Sequence, residues 1–212
     1  MSLQVTTFTN GKWRQNCYIV VNDEGSALII DPGSDANGIS ALLAQNGWHV
    51  QAILNTHAHY DHVGAVAPLK EKYGAPFYLH SADEDLLKHA NLYRMLFESR
   101  EAVKIPSINH DISGLAPEFA AGPFTISWIS TPGHTPGSVC LRLKDLLFTG
   151  DTLMKDHVGR TDLPGGNRQE LLTSVRKLME LPPETIVYGG HGPSTTLQAE
   201  FAEGSRVWSQ LQ

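Results

Sequence analysis

Four side chains able to hold a metal ion crowd into six positions of this chain: His57, His59, Asp61 and His62, in the run Asn55-Thr56-His57-Ala58-His59-Tyr60-Asp61-His62. Neutral imidazole and ionised carboxylate are the usual protein ligands for zinc and other borderline divalent ions. An apolar run, Val50-Gln51-Ala52-Ile53-Leu54, leads in, and a helix-like run from Val63 to Lys70 leads out. A strand ending in a tight turn into a helix would bring the four side chains round one point. Asp and His also serve as simple caps at the start of a helix, so the weight of the metal reading rests on the remainder of the chain.

Three more stretches follow the same grammar of apolar run, breaker and metal-competent residue. They are Trp128-Ile129-Ser130-Thr131-Pro132-Gly133-His134, Leu147-Phe148-Thr149-Gly150-Asp151 and Ile186-Val187-Tyr188-Gly189-Gly190-His191. Catalytic groups commonly sit on loops at one edge of a rigid sheet, where glycine lets the backbone turn sharply. If they converge, the four loops supply five histidines and two aspartates, enough for two metal ions. A donor set of N and O without thiolate suits Zn, Fe or Mn.

The elements that must carry these loops come in two batches. Strand patterns at residues 3–9 and 17–21, with the turn-prone Asn10-Gly11 between them, are followed by short apolar runs at 27–30, 50–55 and 75–80. Helical spacing appears over 36–46, closed by Gly47, and over about 62–73. Ser81 with Glu84 three residues on is a capping-box signature, opening a helix to about residue 97. Residues 98–121 show no clear period and read as a mobile loop or lid. Strands resume at 124–129, 138–143, 146–149 and 185–188, with a helix over 167–180 and a closing helix in the tail 194–212. Two batches of strands, each followed by helices, fit a four-layer αββα sandwich better than a doubly wound sheet.

With 212 residues, 41% of them hydrophobic, the chain is long enough to bury a substantial core and suits one large domain or two small ones, the expectation taken forward being a single domain over 1–212. Its formal charge of -6, spread without long runs, offers neither a nucleic-acid surface nor a polybasic membrane patch. Cys17 and Cys140, each in an apolar strand-like run, read as buried free thiols. The N-terminal Met1-Ser2-Leu3-Gln4-Val5 has no signal-peptide pattern. No apolar run approaches the roughly 20 residues of a membrane span. A cytoplasmic protein acting on a small molecule is the expectation; composition is silent on oligomeric state.

The motifs His57-Ala58-His59-Tyr60-Asp61-His62, Thr131-Pro132-Gly133-His134-Thr135-Pro136-Gly137-Ser138, Gly150-Asp151 and Gly190-His191-Gly192-Pro193 together resemble the metallo-β-lactamase-fold hydrolase superfamily, and most its glyoxalase II (hydroxyacylglutathione hydrolase) branch. The resemblance covers nearly the whole chain, from Asp31-Pro32-Gly33 to Gly192-Pro193. It implies an αββα sandwich with two divalent metals, zinc first and Fe or Mn as alternatives, at one edge. His57, His59 and His134 would hold the first, Asp61, His62 and His191 the second, and Asp151 would bridge them. Two metals about 3.5–4 Å apart can share a hydroxide formed at neutral pH. The implied reaction is attack of that hydroxide on an acyl thioester such as S-lactoylglutathione, with Asp61 orienting it. A thiolate leaves without a strong acid, since thiols have a pKa near 8.5.

Two other activities share the resemblance. A mononuclear-iron persulfide dioxygenase would use His57, His134 and Asp151, and that branch has a segment similar to Gly159-Arg160-Thr161-Asp162. A non-catalytic binding protein on the same fold would be expected to lose a ligand, yet all seven are present. Efficient lactam cleavage is not expected.

In glyoxalase II, a basic residue at the place of Arg160 contacts a carboxylate of glutathione, a task that suits the guanidinium fork. The aromatic expected two residues later is Asp162, and after His191 the chain continues Gly192-Pro193 with 21 residues left and no C-terminal helical domain. It therefore resembles the short glyoxalase-II-like proteins. Asp31 reads as a turn residue or a carboxylate steadying a ligand from behind. His80 reads as a cap or core residue, and His49, His89, His110 and His157 have no companion motif. The cluster Tyr93, Met95, Leu96 and Phe97 reads first as helix packing and second as the lining of a pocket mouth, and Arg100 and Lys104 read as loop charges before any role in attracting an acidic substrate.

Overall fold

Strand β2 (Gln15–Asn22) is buried along its whole length, and its side chains divide by parity between two cores. Cys17, Ile19 and Val21 enter one cluster, and Tyr18 and Val20 another. That is the period-two alternation of a strand covered on both faces. A computed structural model describes residues 2–98 and 101–211.

The first sheet has the order β1 (Leu3–Asn10), β2, β3 (Ser26–Ile30), β4 (His49–Leu54), β5 (Phe77–Leu79) and β6 (His110–Asp111). The pairings β1/β2 and β2/β3 are antiparallel, and the next three are parallel. The second sheet is built from β7 (Glu118–Ala121), β8 (Phe124–Ser130), β9 (Val139–Leu143), β10 (Leu146–Gly150), β13 (Ile186–Gly189) and β14 (Thr195–Thr196), in the spatial order β14-β13-β10-β9-β8-β7. A small ribbon pairs β11 (Leu153–Met154) with β12 (His157–Val158).

Helices cover both outer faces. On the first sheet lie α1 (Ala36–Asn46), α2 (Tyr60–Val63), α3 (Val66–Tyr73), α4 (Glu84–Lys88) and α5 (Ala90–Phe97), sharing a core with Ile19, Ile29, Ile53 and Phe77. On the second lie α6 (Arg168–Leu178), α7 (Leu197–Phe201) and α8 (Arg206–Leu211), packed on Cys140, Leu147 and Val187. Between the sheets, Leu28, Ile30 and Leu54 meet Phe124, Ile126, Leu141 and Phe148. The result is the four-layer αββα sandwich.

Local chemistry sets the ends. Asp35 caps α1, accepting from Gly38 N at 2.8 Å, and Gly47 closes it in the left-handed region. Asn167 caps α6 through the amides of Gln169 and Glu170.

Some expectations need correction. The helix expected over 62–73 is two pieces, because the backbone turns in to place Ala65 N on Gly33 O at 2.6 Å. Ser81 does not cap the helix after it: its hydroxyl faces Ser113, and His80 Nδ1 accepts from Ala82 N at 3.2 Å instead. The tail carries two short helices with a break at 202–205. Within the stretch expected as a mobile loop or lid, residues 101–108 have no regular structure, while the part after them contributes to both sheets. Of the described part, β6 and β7 are the outer strands of the two sheets, and the Asn91 side chain pins Val103 through two hydrogen bonds. Arg100 lies outside the described residues.

Candidate metal centre

Strands β8 and β10 flank β9 antiparallel to both, so they point the same way; β13 runs parallel to β10. His134, Asp151 and His191 therefore leave the second sheet at one edge. The turn after β4 brings His57, His59, Asp61 and His62 to the same edge from the first sheet. Val139 N donating to Thr56 O at 2.9 Å ties the two together.

All seven residues expected as ligands converge. His57, His59 and His134 form one group, and Asp61, His62 and His191 another, each with one donor atom per residue lying within 4.8 Å of the others. Asp151 stands between the groups. Its Oδ2 is 3.4 Å from His134 Nε2 and 3.6 Å from His191 Nε2, and its Oδ1 is 3.7 Å from His62 Nε2. Asp61 Oδ2 is 3.5 Å from His191 Nε2 and 3.9 Å from His62 Nε2.

The back of each ring determines what its front can do. Thr56 Oγ1 donates to Asp31 Oδ2 at 2.6 Å, so toward His57 Nδ1, at 3.0 Å, it can only accept. The proton sits on His57 Nδ1 and the lone pair on Nε2. His134 Nδ1 faces Arg160 O at 2.8 Å and His191 Nδ1 faces Trp13 O at 3.0 Å, and a carbonyl only accepts. Their Nε2 lone pairs also point inward. Asp31 Oδ2 stands 3.2 Å from His62 Nδ1 as a charge partner behind that ring, without hydrogen-bond geometry. Asp31 can also be grouped with His57 and His62 by donor distance, but its carboxylate already takes Thr56 N and Oγ1. It is a support for ligands, as one of its two expected roles had it.

Buried donors left without partners are what a metal would satisfy. Among the described residues, His57 Nε2, His62 Nε2 and Asp151 Oδ1 are buried and make no hydrogen bond. His134 Nε2 lies 2.8 Å from His59 Nδ1, so two ring nitrogens share one proton where both could face a cation. Burial, with the neighbouring imidazoles, holds His57 and His59 well below the usual imidazole range and keeps them neutral. Burial opposes charge on Asp151, but His134, His62, His191 and His59 outweigh it and bring its carboxyl to about 2. His62 goes the other way. Burial works against its charge, yet Asp61, Asp31 and Asp151 push it up to about 9, marking a place where a cation is wanted.

Gly190 is required here by close approach: a Cβ would strike Asp151 Oδ1 and come within 2.9 Å of His62 Cε1. The centre opens into a cavity of about 140 Å3 walled by Trp13, Tyr60, Phe97, Arg160 and Leu163. An apolar slot beside it adds Leu86, Tyr93 and Pro164. Arg160 lines the cavity, and its guanidinium is held by Asp162 through two bonds of 2.7 Å.

The chain belongs to the metallo-β-lactamase superfamily. The family model matches residues 10–191, the span that contains every ligand candidate. Among relatives in the superfamily, the probable metallo-hydrolase YqgX of Bacillus subtilis (strain 168) is 40% identical, covering 89% of this chain and 94% of its own. The hydroxyacylglutathione hydrolase GloC of Haemophilus influenzae is 31% identical, covering 94% and 95%. Among solved structures, BLEG-1 B3 metallo-β-lactamase superposes with a TM-score of 0.90 at 35% identity, covering 96% and 99%. TTHA1623 in a di-iron-bound form superposes at 0.84 with 38% identity, covering 93% and 98%.

Other sequence candidates lie apart. Phe97 and Tyr93 line the cavity and slot, but Met95 and Leu96 are exposed rather than packed. Lys104 pairs with Glu71 on the surface. Both cysteines are buried and free, with burial pushing the Cys140 thiol up to about 12. His49, His89, His110 and His157 fall in none of the metal-competent groups. Trp13, Thr56 and Leu163 were not singled out from sequence. Trp13 follows a turn-prone Asn-Gly pair, and nothing local says that this turn reaches the site.

Proposed function

We propose that this protein is a metal-dependent hydrolase with two divalent ions, acting on an acyl thioester such as S-lactoylglutathione. The observation that carries the reading is the convergent donor set of buried His57, His59, His62 and His134 with half-buried Asp61, Asp151 and His191, and with orphaned lone pairs on both sides of Asp151. The similarity to GloC supports the thioester class. The donors fit Zn, Fe or Mn, and the di-iron form of TTHA1623 keeps iron in view. Bound there, such ions supply a hydroxide at neutral pH and a Lewis acid for the carbonyl.

The chain's own residues do the rest. Asp61, at the cavity wall, accepts a hydrogen bond from the attacking water and fixes its direction. Trp13, Tyr60, Phe97 and Leu163 enclose the acyl group and exclude bulk water. The leaving thiolate needs no protonation before departure.

No helix of the described residues is long and apolar enough to cross a membrane. A persulfide dioxygenase using His57, His134 and Asp151 is the competing activity, and it leaves His59, Asp61, His62 and His191 without a task. The likeness to BLEG-1 makes a chromogenic β-lactam the third substrate to test. With metal-loaded protein, S-lactoylglutathione hydrolysis should exceed both oxygen uptake on glutathione persulfide and lactam cleavage. Dominance of either of the others overturns the thioester reading.

A further inference from the structure

Asp83 is a fully buried carboxylate that the chemistry above does not use. It lies between the two loops that build the first donor group. Its Oδ2 accepts from Ala58 N at 2.9 Å and from Thr135 Oγ1 at 2.8 Å, and its Oδ1 accepts from Gly137 N at 2.6 Å. Ala58 is the residue between His57 and His59, and Thr135 directly follows His134. One loop leaves the first sheet and the other the second, so this carboxylate spans the gap between layers.

The neighbouring sequence leaves room for it. A Cβ on Gly137 would stand 2.7 Å from Asp83 Cγ, from its Oδ1 and from its backbone N. Ser138 Oγ lies 2.7 Å from Thr135 Oγ1, whose hydrogen is committed to Asp83, so the serine donates and steadies the threonine in turn. The Asp83 carboxylate's bonds fall on Ala58, between His57 and His59, and on Thr135 and Gly137, beside His134; among the described residues none falls on Asp61, His62 or His191 themselves.

We propose that Asp83 is a positioning residue that sets His57 and His59 against His134, and so tunes the first metal site and not the second. The inference rests on the metal reading but not on the thioester reading. Polar groups that orient ligands typically change metal affinity about 10- to 100-fold when removed.

The test is a stepwise zinc titration of metal-free protein against a chromophoric chelator. His59→Ala and His191→Ala assign the two binding steps. Asp83→Ala should weaken the His57/His59/His134 step about 10- to 100-fold and leave the other within about three-fold. Thr135→Val, which removes one bond, should show the same selectivity at smaller size. Gly137→Ala, which displaces the carboxylate without deleting it, should reproduce Asp83→Ala, and it keeps the test alive if Asp83→Ala does not fold. Equal weakening of both steps, or a lowered metal-free melting midpoint with both steps unchanged, overturns the proposal. Wild-type protein that binds no zinc overturns the metal reading beneath it, a separate outcome.

Discussion

Arg160 donates through Nε and Nη2 to the two oxygens of Asp162, each at 2.7 Å, at the rim of the metal cavity. The guanidinium expected to hold a substrate carboxylate is thus already occupied by its own chain. The pair is exposed and screened by water, so little holds it closed against a competing carboxylate. Asp162→Asn should therefore lower KM for S-lactoylglutathione by about two- to five-fold, with kcat unchanged. Arg160→Ala should remove that gain from the double variant. Steady-state kinetics with an uncharged S-lactoyl-N-acetylcysteamine control, which neither change should affect, reads the difference.

Asp31 supports the site from behind through Thr56 and His62. Asp31→Ala strands Thr56 N and turns the Thr56 hydroxyl loose from His57. It should destabilise the fold by about 1–3 kcal/mol and weaken metal binding about 10- to 100-fold. Urea unfolding of the metal-free protein and zinc competition measure the two effects separately.

Gly190 has no room for a side chain between Asp151 and His62. Gly190→Ala keeps all seven donors yet should cost about 100-fold in turnover through displaced geometry, with circular dichroism unchanged. Full activity in this variant would show that Asp151 does not need its present position.

Protonation should give the metal-free protein a stability optimum near pH 6.5. His62, raised from 6.5 to about 9, contributes fully below pH 6.5, and that contribution is lost as the pH climbs through about 9. His57 and His59 are depressed, so theirs is present above pH 6.5 and lost as the pH falls. The melting midpoint should decline on both sides. Bound metal takes the place of the His62 proton and should abolish the alkaline decline; differential scanning fluorimetry across pH 5–10, with and without zinc, checks this.

Much of the site was legible in the chain because its donors sit at strand ends, where apolar run, glycine and ligand are adjacent in sequence. His134, Asp151 and His191 each follow that pattern, and β8, β10 and β13 each end one residue beyond where it placed them. The layers were legible because β2, β3 and β4 are apolar on both faces. Residues acting across long separations were not. Trp13 reaches His191 through a backbone carbonyl, which has no side-chain signature. Asp83 links residues 25 and 54 positions away, inside a run that reads as an ordinary helix start. Strand β6 is only two polar residues and β7 only four, too short for their period to show, and each lies at a sheet edge.

The central claim is a binuclear centre, and elemental analysis of freshly purified protein, paired with S-lactoylglutathione turnover before and after chelation, tests it most directly. The account predicts close to two equivalents of Zn, Fe or Mn per chain and turnover that chelation abolishes and metal restores. One equivalent of iron with no thioester turnover would contradict it and assign the site to the mononuclear dioxygenase instead.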